Sequence, residues 1–183
     1  YGPNANATGE NTTAIGAGAT AATASNSTDF GATAIGADSN ASAANAVALG
    51  RAANASAIGS IALGNHSKAT GLEAIALGDE ANASGSEAIA IGDDSIASGD
   101  DSIAIGSYAN ATAKEATAIG HLSVASGNDS SAFGKGANAS ALEATAVGYE
   151  AKASGEDSSA FGKEANASGS ESTAVGYEEI VAV

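Results

Sequence analysis

The 183 residues include no cysteine, methionine or tryptophan, one proline and seven aromatics, and they carry a net charge of −15. Leu, Ile, Val and Phe together number 27, about 15% of the chain, which excludes an ordinary globular core and on composition alone would read as disorder. No apolar run is long enough to span a membrane as a helix, and the negative charge argues against DNA or anionic lipid as a partner.

The chain opens at Tyr1 in mid-pattern, without an initiating methionine or a signal peptide, and so reads as a segment of something longer. Its first anchor is the glycine of Ala14-Ile15-Gly16. The same Ala-apolar-Gly recurs at Gly36, Gly50, Gly64, Gly78, Gly92, Gly106, Gly120, Gly134, Gly148, Gly162 and Gly176. Every interval from Gly36 onward is fourteen residues, whereas the first is twenty. Six residues are therefore inserted within about 17–35, most naturally inside Ala22–Phe30. The repeats occupy residues 1–176. After Gly176, Glu179 and Val181 stand where a small residue and Ala are expected, so 177–183 reads as a break, either the start of a neck or a segment boundary.

Each unit holds two short alternating runs. The first ends at the anchor, and the residue before the glycine is Ile15, Ile35, Leu49, Leu63, Leu77, Ile91, Ile105, Ile119, Phe133, Val147, Phe161 or Val175. The residue one step earlier is always Ala. The second run follows the anchor by three to six residues and reads small-X-Ala-Ser/Thr, as in Ala81-Asn82-Ala83-Ser84. Alternation of period two between turn signals predicts strands, and the recurrent glycines exclude helix. Each unit is then one coil of a solenoid: strand, turn, strand, turn. Twelve coils stacked at about 4.8 Å predict a rod about 55–60 Å long, with the glycines releasing the tight corners.

A fourteen-residue coil encloses little room. The alternation puts Ala88, Ala90, Ala81 and Ala83 inside and turns Ile89 and Ile91 outward. Stacking then makes an outward apolar stripe that a soluble monomer does not tolerate. Burying the twelve residues before the anchors against other copies could contribute about 20–35 kcal/mol per chain as an upper bound. The pattern calls for parallel, in-register chains, in a closed three-fold arrangement or a dimer.

No catalytic constellation appears. His66 and His121 fall in turns of different units and read as solvated, and no His or Cys cluster suggests a metal. Glu73, Glu87, Asp101, Glu115, Asp129, Glu143, Asp157 and Glu171 all lie five residues before an anchor. Stacking brings these like charges to about 5 Å, at a cost of about 0.8 kcal/mol per neighbouring pair before screening. They form either a solvated edge that limits sideways aggregation or a ladder for cations or basic ligands. Eleven Asn-X-Ser/Thr sequons follow from the strand pattern itself, which generates polar-Ala-hydroxyl triplets. Ile96 and Val124 interrupt the outward asparagines of the second strands. With Tyr108 and Tyr149 in nearby corners they are candidates for a ligand surface, against the plainer reading of a tolerant exposed face.

The small-Ile/Val-Ala-Ile-Gly motif at fourteen-residue intervals, with Ala-x-Ala-Ser-Gly between, resembles the head domain of trimeric autotransporter adhesins, the YadA-like head, from Gly9 to Gly176. The resemblance implies an all-β, left-handed parallel β-roll of 14-residue coils, against the usual right-handed crossover preference. It also implies a homotrimer with a central hydrophobic core, and Ile35, Leu49, Leu63, Leu77, Ile91, Ile105, Ile119, Phe133, Val147, Phe161 and Val175 would form that core. The chain would be a non-enzymatic adhesin head without a cofactor. It would be displayed on the bacterial surface by a stalk and an outer-membrane barrel, and would bind host matrix or cell-surface proteins and promote cell–cell aggregation. The alternative is a rigid spacer or self-association module without a ligand. Collagen binding in the family is associated with Asn-Ser-Val-Ala-Ile-Gly copies. The nearest here are Asn45-Ala46-Val47-Ala48-Leu49-Gly50 and Asp101-Ser102-Ile103-Ala104-Ile105-Gly106, and acids replace the leading Asn from residue 73 on, which argues against collagen as the ligand.

Overall fold

The computed structural model describes residues 2–23 and 31–182. It divides into two compact units, Tyr1–Asp94 and Ser95–Val183. In the first unit, the strands before the anchors form one parallel sheet and the strands after them a second. Pairing is one coil to the next in strict register: Ile75, Ala76 and Leu77 lie beside Ile89, Ala90 and Ile91, and Asn82 and Ala83 beside Lys68 and Ala69. Register holds where the interval is twenty, with Thr13 beside Thr33 and Thr20 beside Asn40. Residues 24–30, in which the insertion is expected, lie outside the described residues.

The second unit repeats the plan. Ile103–Ile105 pairs with Thr117–Ile119, and the ladder proceeds coil by coil to Thr173–Val175. Past Gly176, Ile180 and Val181 still pair with Asn166 and Ala167, so backbone pairing continues where the composition changes.

Both interiors are built from the smallest side chains. Ala81, Ala83, Ala88 and Ala90 have no exposed surface, and the largest fully buried side chains are serines. The serines enter only where the strand follows a turn. At several of these positions the hydroxyl donates to the carbonyl three residues back, as Ser39 does to Gly36 at 2.9 Å, Ser67 to Gly64 at 3.0 Å and Ser102 to Gly99 at 2.6 Å, whereas the Ser130, Ser158 and Ser172 hydroxyls are buried without a partner. The strand-centre positions, such as Ala76, Ala90 and Ala104, offer no turn carbonyl and hold only Ala. A buried hydroxyl without a partner costs about 1–3 kcal/mol, and the post-turn positions place a carbonyl where serine offsets that cost at Ser39, Ser60, Ser67, Ser102 and Ser123.

The corners differ from the sequence expectation. Each coil has two left-handed positions, and most are not glycine: Ala52, Glu87, Tyr108 and Leu122 have φ of 54°, 55°, 57° and 58°. Backbone bonds to the preceding coil hold these corners, as Glu87 N–H does to the Leu72 carbonyl at 2.7 Å, and their side chains point away from the roll. The anchor glycines are required for a different reason. Gly106 has φ of +130°, and a Cβ there would sit 2.7 Å from the carbonyl carbon and oxygen of Gly120 in the next coil. Gly106→Ala should therefore cost about 2–4 kcal/mol. Gly136→Ala, at a left-handed corner where the nearest atom would be the Glu150 Cγ at 3.2 Å, should cost about 1 kcal/mol. Urea midpoints at unchanged m-value will separate the two.

Candidate functional surfaces

Among the described residues the coil interiors hold only Ala, Ser and Gly, and the larger side chains lie on the faces and corners of the coils. Among the described residues, no three His, Asp or Glu side chains converge as metal ligands.

The outer face of the first sheet carries the residue before each anchor. In the N-terminal unit Leu49 and Leu77 are 38% and 37% exposed, and Ile35, Leu63 and Ile91 are half-buried. In the C-terminal unit Ile119, Phe133 and Phe161 are 36–41% exposed and Val175 67%, with Ile105 and Val147 half-buried. Stacking within one chain thus already covers most of this surface. The burial left for a partner shrinks accordingly, to an upper bound of about 10 kcal/mol per chain. Val47, Ile61, Ile75 and Ile89 widen the apolar face in the first unit and Ile103 does so in the second, where Thr117, Ser131 and Thr145 follow at the same position.

The outer face of the second sheet is polar and laddered. Asn40 Nδ2 donates to Asn54 Oδ1 at 3.0 Å. Where Ile96 and Val124 flank Asn110 in register, that amide ladder is broken, and the Asn110 Oδ1 is buried without a partner. Ile96 is 37% exposed and Val124 half-buried. Asn110 separates them, so they do not form one continuous apolar patch. Tyr108 packs edge-on to His121, with ring centroids 6.3 Å apart, rather than joining Tyr149.

One column escaped the sequence reading. The residues directly after the anchors in the C-terminal unit are Ser107, His121, Lys135, Tyr149, Lys163 and Tyr177. The Tyr149 ring lies between two ammonium groups, Lys135 Nζ at 5.6 Å and Lys163 Nζ at 5.9 Å from its centroid. Lys163 Nζ also lies 4.7 Å from the Tyr177 ring centroid and donates to its hydroxyl at 3.3 Å. Aligning the chain on its anchors displays this alternation, but only stacking at one-coil spacing makes it a cation–π column. The next residue of each turn lies between this column and the second sheet: Glu150, Glu164 and Glu178 line an open groove with Lys152, Asn166 and Ile180, and Glu164 also pairs with Lys163 at 3.1 Å. Glu150 also hydrogen-bonds Tyr149 and raises its pKa.

The acidic ladder occupies the left-handed position of the opposite corner, with φ of 54–57° for all eight residues. Its members are not equivalent. Lys114 Nζ lies 2.7 Å from Glu115, which lowers the carboxyl pKa and raises that of the lysine. Glu143 has its pKa raised, chiefly by the charge of Asp157, with smaller contributions from Asp129 and Glu156. A carboxyl with a raised folded pKa contributes stability below its unfolded value, and loses that contribution as pH rises through the raised one. Glu143→Gln should therefore flatten the loss of thermal stability in the window that opens at the ordinary glutamate value of 4.5 and extends above it. Glu115→Gln should act in the opposite sense, removing a contribution that is present above 4.5 and lost as pH falls. Thermal midpoints taken across that range check both.

Two parallel sheets wound in fourteen-residue coils around an alanine interior define a repeat protein of the β-solenoid class. The chain matches the family described as YadA head domain repeat in twelve overlapping windows, spanning residues 2–28 and 30–178, and it belongs to that family. Its fold is similar to the crystal structure of the collagen-binding domain of the Yersinia adhesin YadA, with 23% identity, a TM-score of 0.51, and coverage of 94% of this chain and 84% of that one. No curated protein sequence matches the chain.

Proposed function

We propose that the chain is the head of a trimeric surface adhesin, a non-enzymatic binding module displayed on the outside of a bacterium as part of a longer protein. The observation that carries this reading is the outer face of the first sheet. It presents Leu, Ile, Val and Phe coil after coil over an interior that has room only for Ala and Ser. Those side chains belong against copies of the same chain around a common axis, with Ile35 through Val175 as the trimer core. The family's left-handed coil is compatible with this packing. The YadA domain is titled a collagen-binding domain, and host matrix or cell-surface proteins are the partners we infer. Collagen is disfavoured here. The position that holds Asn45 in one coil holds Asp101 and other acids in later coils, at the same left-handed corner.

Attachment through such a body works by repetition. One coil offers little contact, but equivalent contacts recur along each chain and are multiplied by three, so avidity replaces a pocket. Binding of the intact oligomer to a panel of immobilised matrix proteins tests the reading. Saturable binding that is weakened by dissociating the chains is expected. Absence of binding to every member, with the oligomer intact, would leave a rigid spacer as the better description.

A further inference from the structure

We propose that in the C-terminal unit the cation–aromatic column of one chain docks on the acidic ladder of a second, parallel copy, making a charged seam beside the apolar core. The proposal rests on the assembly reading above and adds the residues that set its direction. The two columns border the same face. Lys135, Tyr149 and Lys163 lie two residues past the ends of the strands Ser131–Phe133, Thr145–Val147 and Ser159–Phe161, and Asp129, Glu143 and Asp157 lie two residues before their starts. Of the carboxylates on the same corner, Glu164 pairs with Lys163 at 3.1 Å and Glu150 bonds to Tyr149, whereas Lys135 is followed by Gly136 and has no carboxylate beside it in its own turn.

Both columns are rigid and share one period. Glu150 N–H donates to the Lys135 carbonyl at 2.9 Å and Glu164 N–H to the Tyr149 carbonyl at 2.8 Å. On the other corner Glu143 N–H donates to the Asn128 carbonyl at 2.9 Å and Asp157 N–H to the Leu142 carbonyl at 3.0 Å. The backbone repeats at one-coil intervals of about 4.8 Å on both, so carboxylates recur at every coil of the ladder and ammonium groups at every second coil of the column, with Tyr149 between Lys135 and Lys163. Opposite signs meet at two levels, Lys135 with Asp129 and Lys163 with Asp157, while Glu115 is already paired with Lys114 of its own chain. The crowding that raises the Glu143 pKa would be relieved by cations arriving from a neighbour.

Symmetry does the rest. Rotation about an axis parallel to the stack brings the end of one first strand beside the start of its neighbour's, so basic column meets acidic ladder. An antiparallel pair related by a two-fold along the strands would set acidic ladder on acidic ladder, with repulsion at every coil. The seam thus selects parallel, in-register chains. In the N-terminal unit the same positions hold Asp79 with Glu73 and Asp93 with Glu87, two like-signed levels at which the seam is weakest.

The test uses the full 183-residue chain. Sedimentation equilibrium is run on the wild type, Lys135→Glu with Lys163→Glu, Asp129→Lys with Asp157→Lys, and the fourfold exchange. Each double reversal should raise the concentration of half-dissociation about tenfold or more, and the fourfold exchange should restore it to within about threefold, because the paired groups lie on opposite corners of one chain and meet only between chains. Asp93→Lys should lower that concentration. Carbodiimide coupling of refolded mixtures of 15N-labelled and unlabelled chains should give mixed-isotope links between Lys135 and Asp129. A wild-type oligomer whose dissociation is indifferent to the reversals, with no such link, overturns the seam and leaves the assembly standing. A wild-type monomer overturns both.

Discussion

Ala90→Leu should lower stability by about 3 kcal/mol or more, while Ala88→Ser should be nearly neutral and Ala90→Ser should fall between them. Ala90 has no exposed surface, and its in-register neighbour is Ala76. Nothing larger than serine is fully buried among the described residues. Three added carbons would have to force the two sheets of a coil apart, and the distortion would pass to the coils on either side through the shared ladder. The serine variants separate size from polarity. Ala88 stands at the post-turn position that Ser60 and Ser102 fill with hydroxyls bonded to Ala57 and Gly99 and that Ser130, Ser158 and Ser172 fill without a partner, so a serine fits there with a carbonyl in reach. At Ala90 no turn carbonyl is offered, and the buried hydroxyl costs about 1–3 kcal/mol. Urea denaturation of the four proteins gives the order. Equal midpoints for Ala90→Leu and Ala90→Ser would mean that the inner and outer faces have been exchanged.

Ile91→Asp should dissociate the assembly at concentrations where the wild type is fully associated. In a single chain Ile91 is only half-buried, so a carboxylate there keeps access to water and the isolated coil should tolerate it. In a closed trimer three carboxylates would enter one dry layer, at a cost of several kcal/mol per ion, about 5 kcal/mol or more for the layer. The same substitution therefore has a small effect on a monomer and a large one on a trimer. Sedimentation velocity reads the difference directly. A wild-type protein that sediments as a stable folded monomer would contradict the assembly reading, whatever the variant does.

Much of the fold is legible along the chain because a solenoid is nearly one-dimensional: each coil contacts its neighbours, and those are the residues fourteen positions away. The spacing of the anchors is the register of the sheets, as the pairing of Ile75 with Ile89 and of Ala76 with Ala90 shows. The alternation of Ala with Ile likewise determines which face is inward, since a fourteen-residue coil excludes the larger side chain on volume alone. Tertiary structure was needed wherever the outcome depends on what stands in the next coil or across a corner. Gly106 and Gly136 both look like turn glycines, yet only Gly106 has the backbone of the following coil against its Cα. Glu87 and Leu122 sit in left-handed corners that their residue types do not announce, because backbone bonds to the neighbouring coil hold a conformation that local propensity disfavours. Adjacent turn residues such as Tyr149 and Glu150 also have different surroundings, the first flanked by the lysines of neighbouring coils and the second lining the groove beside the second sheet. The repeat specifies which residues share a level. The direction in which each side chain leaves the corner is decided by the geometry of the closed coil and by the side chains stacked above and below it.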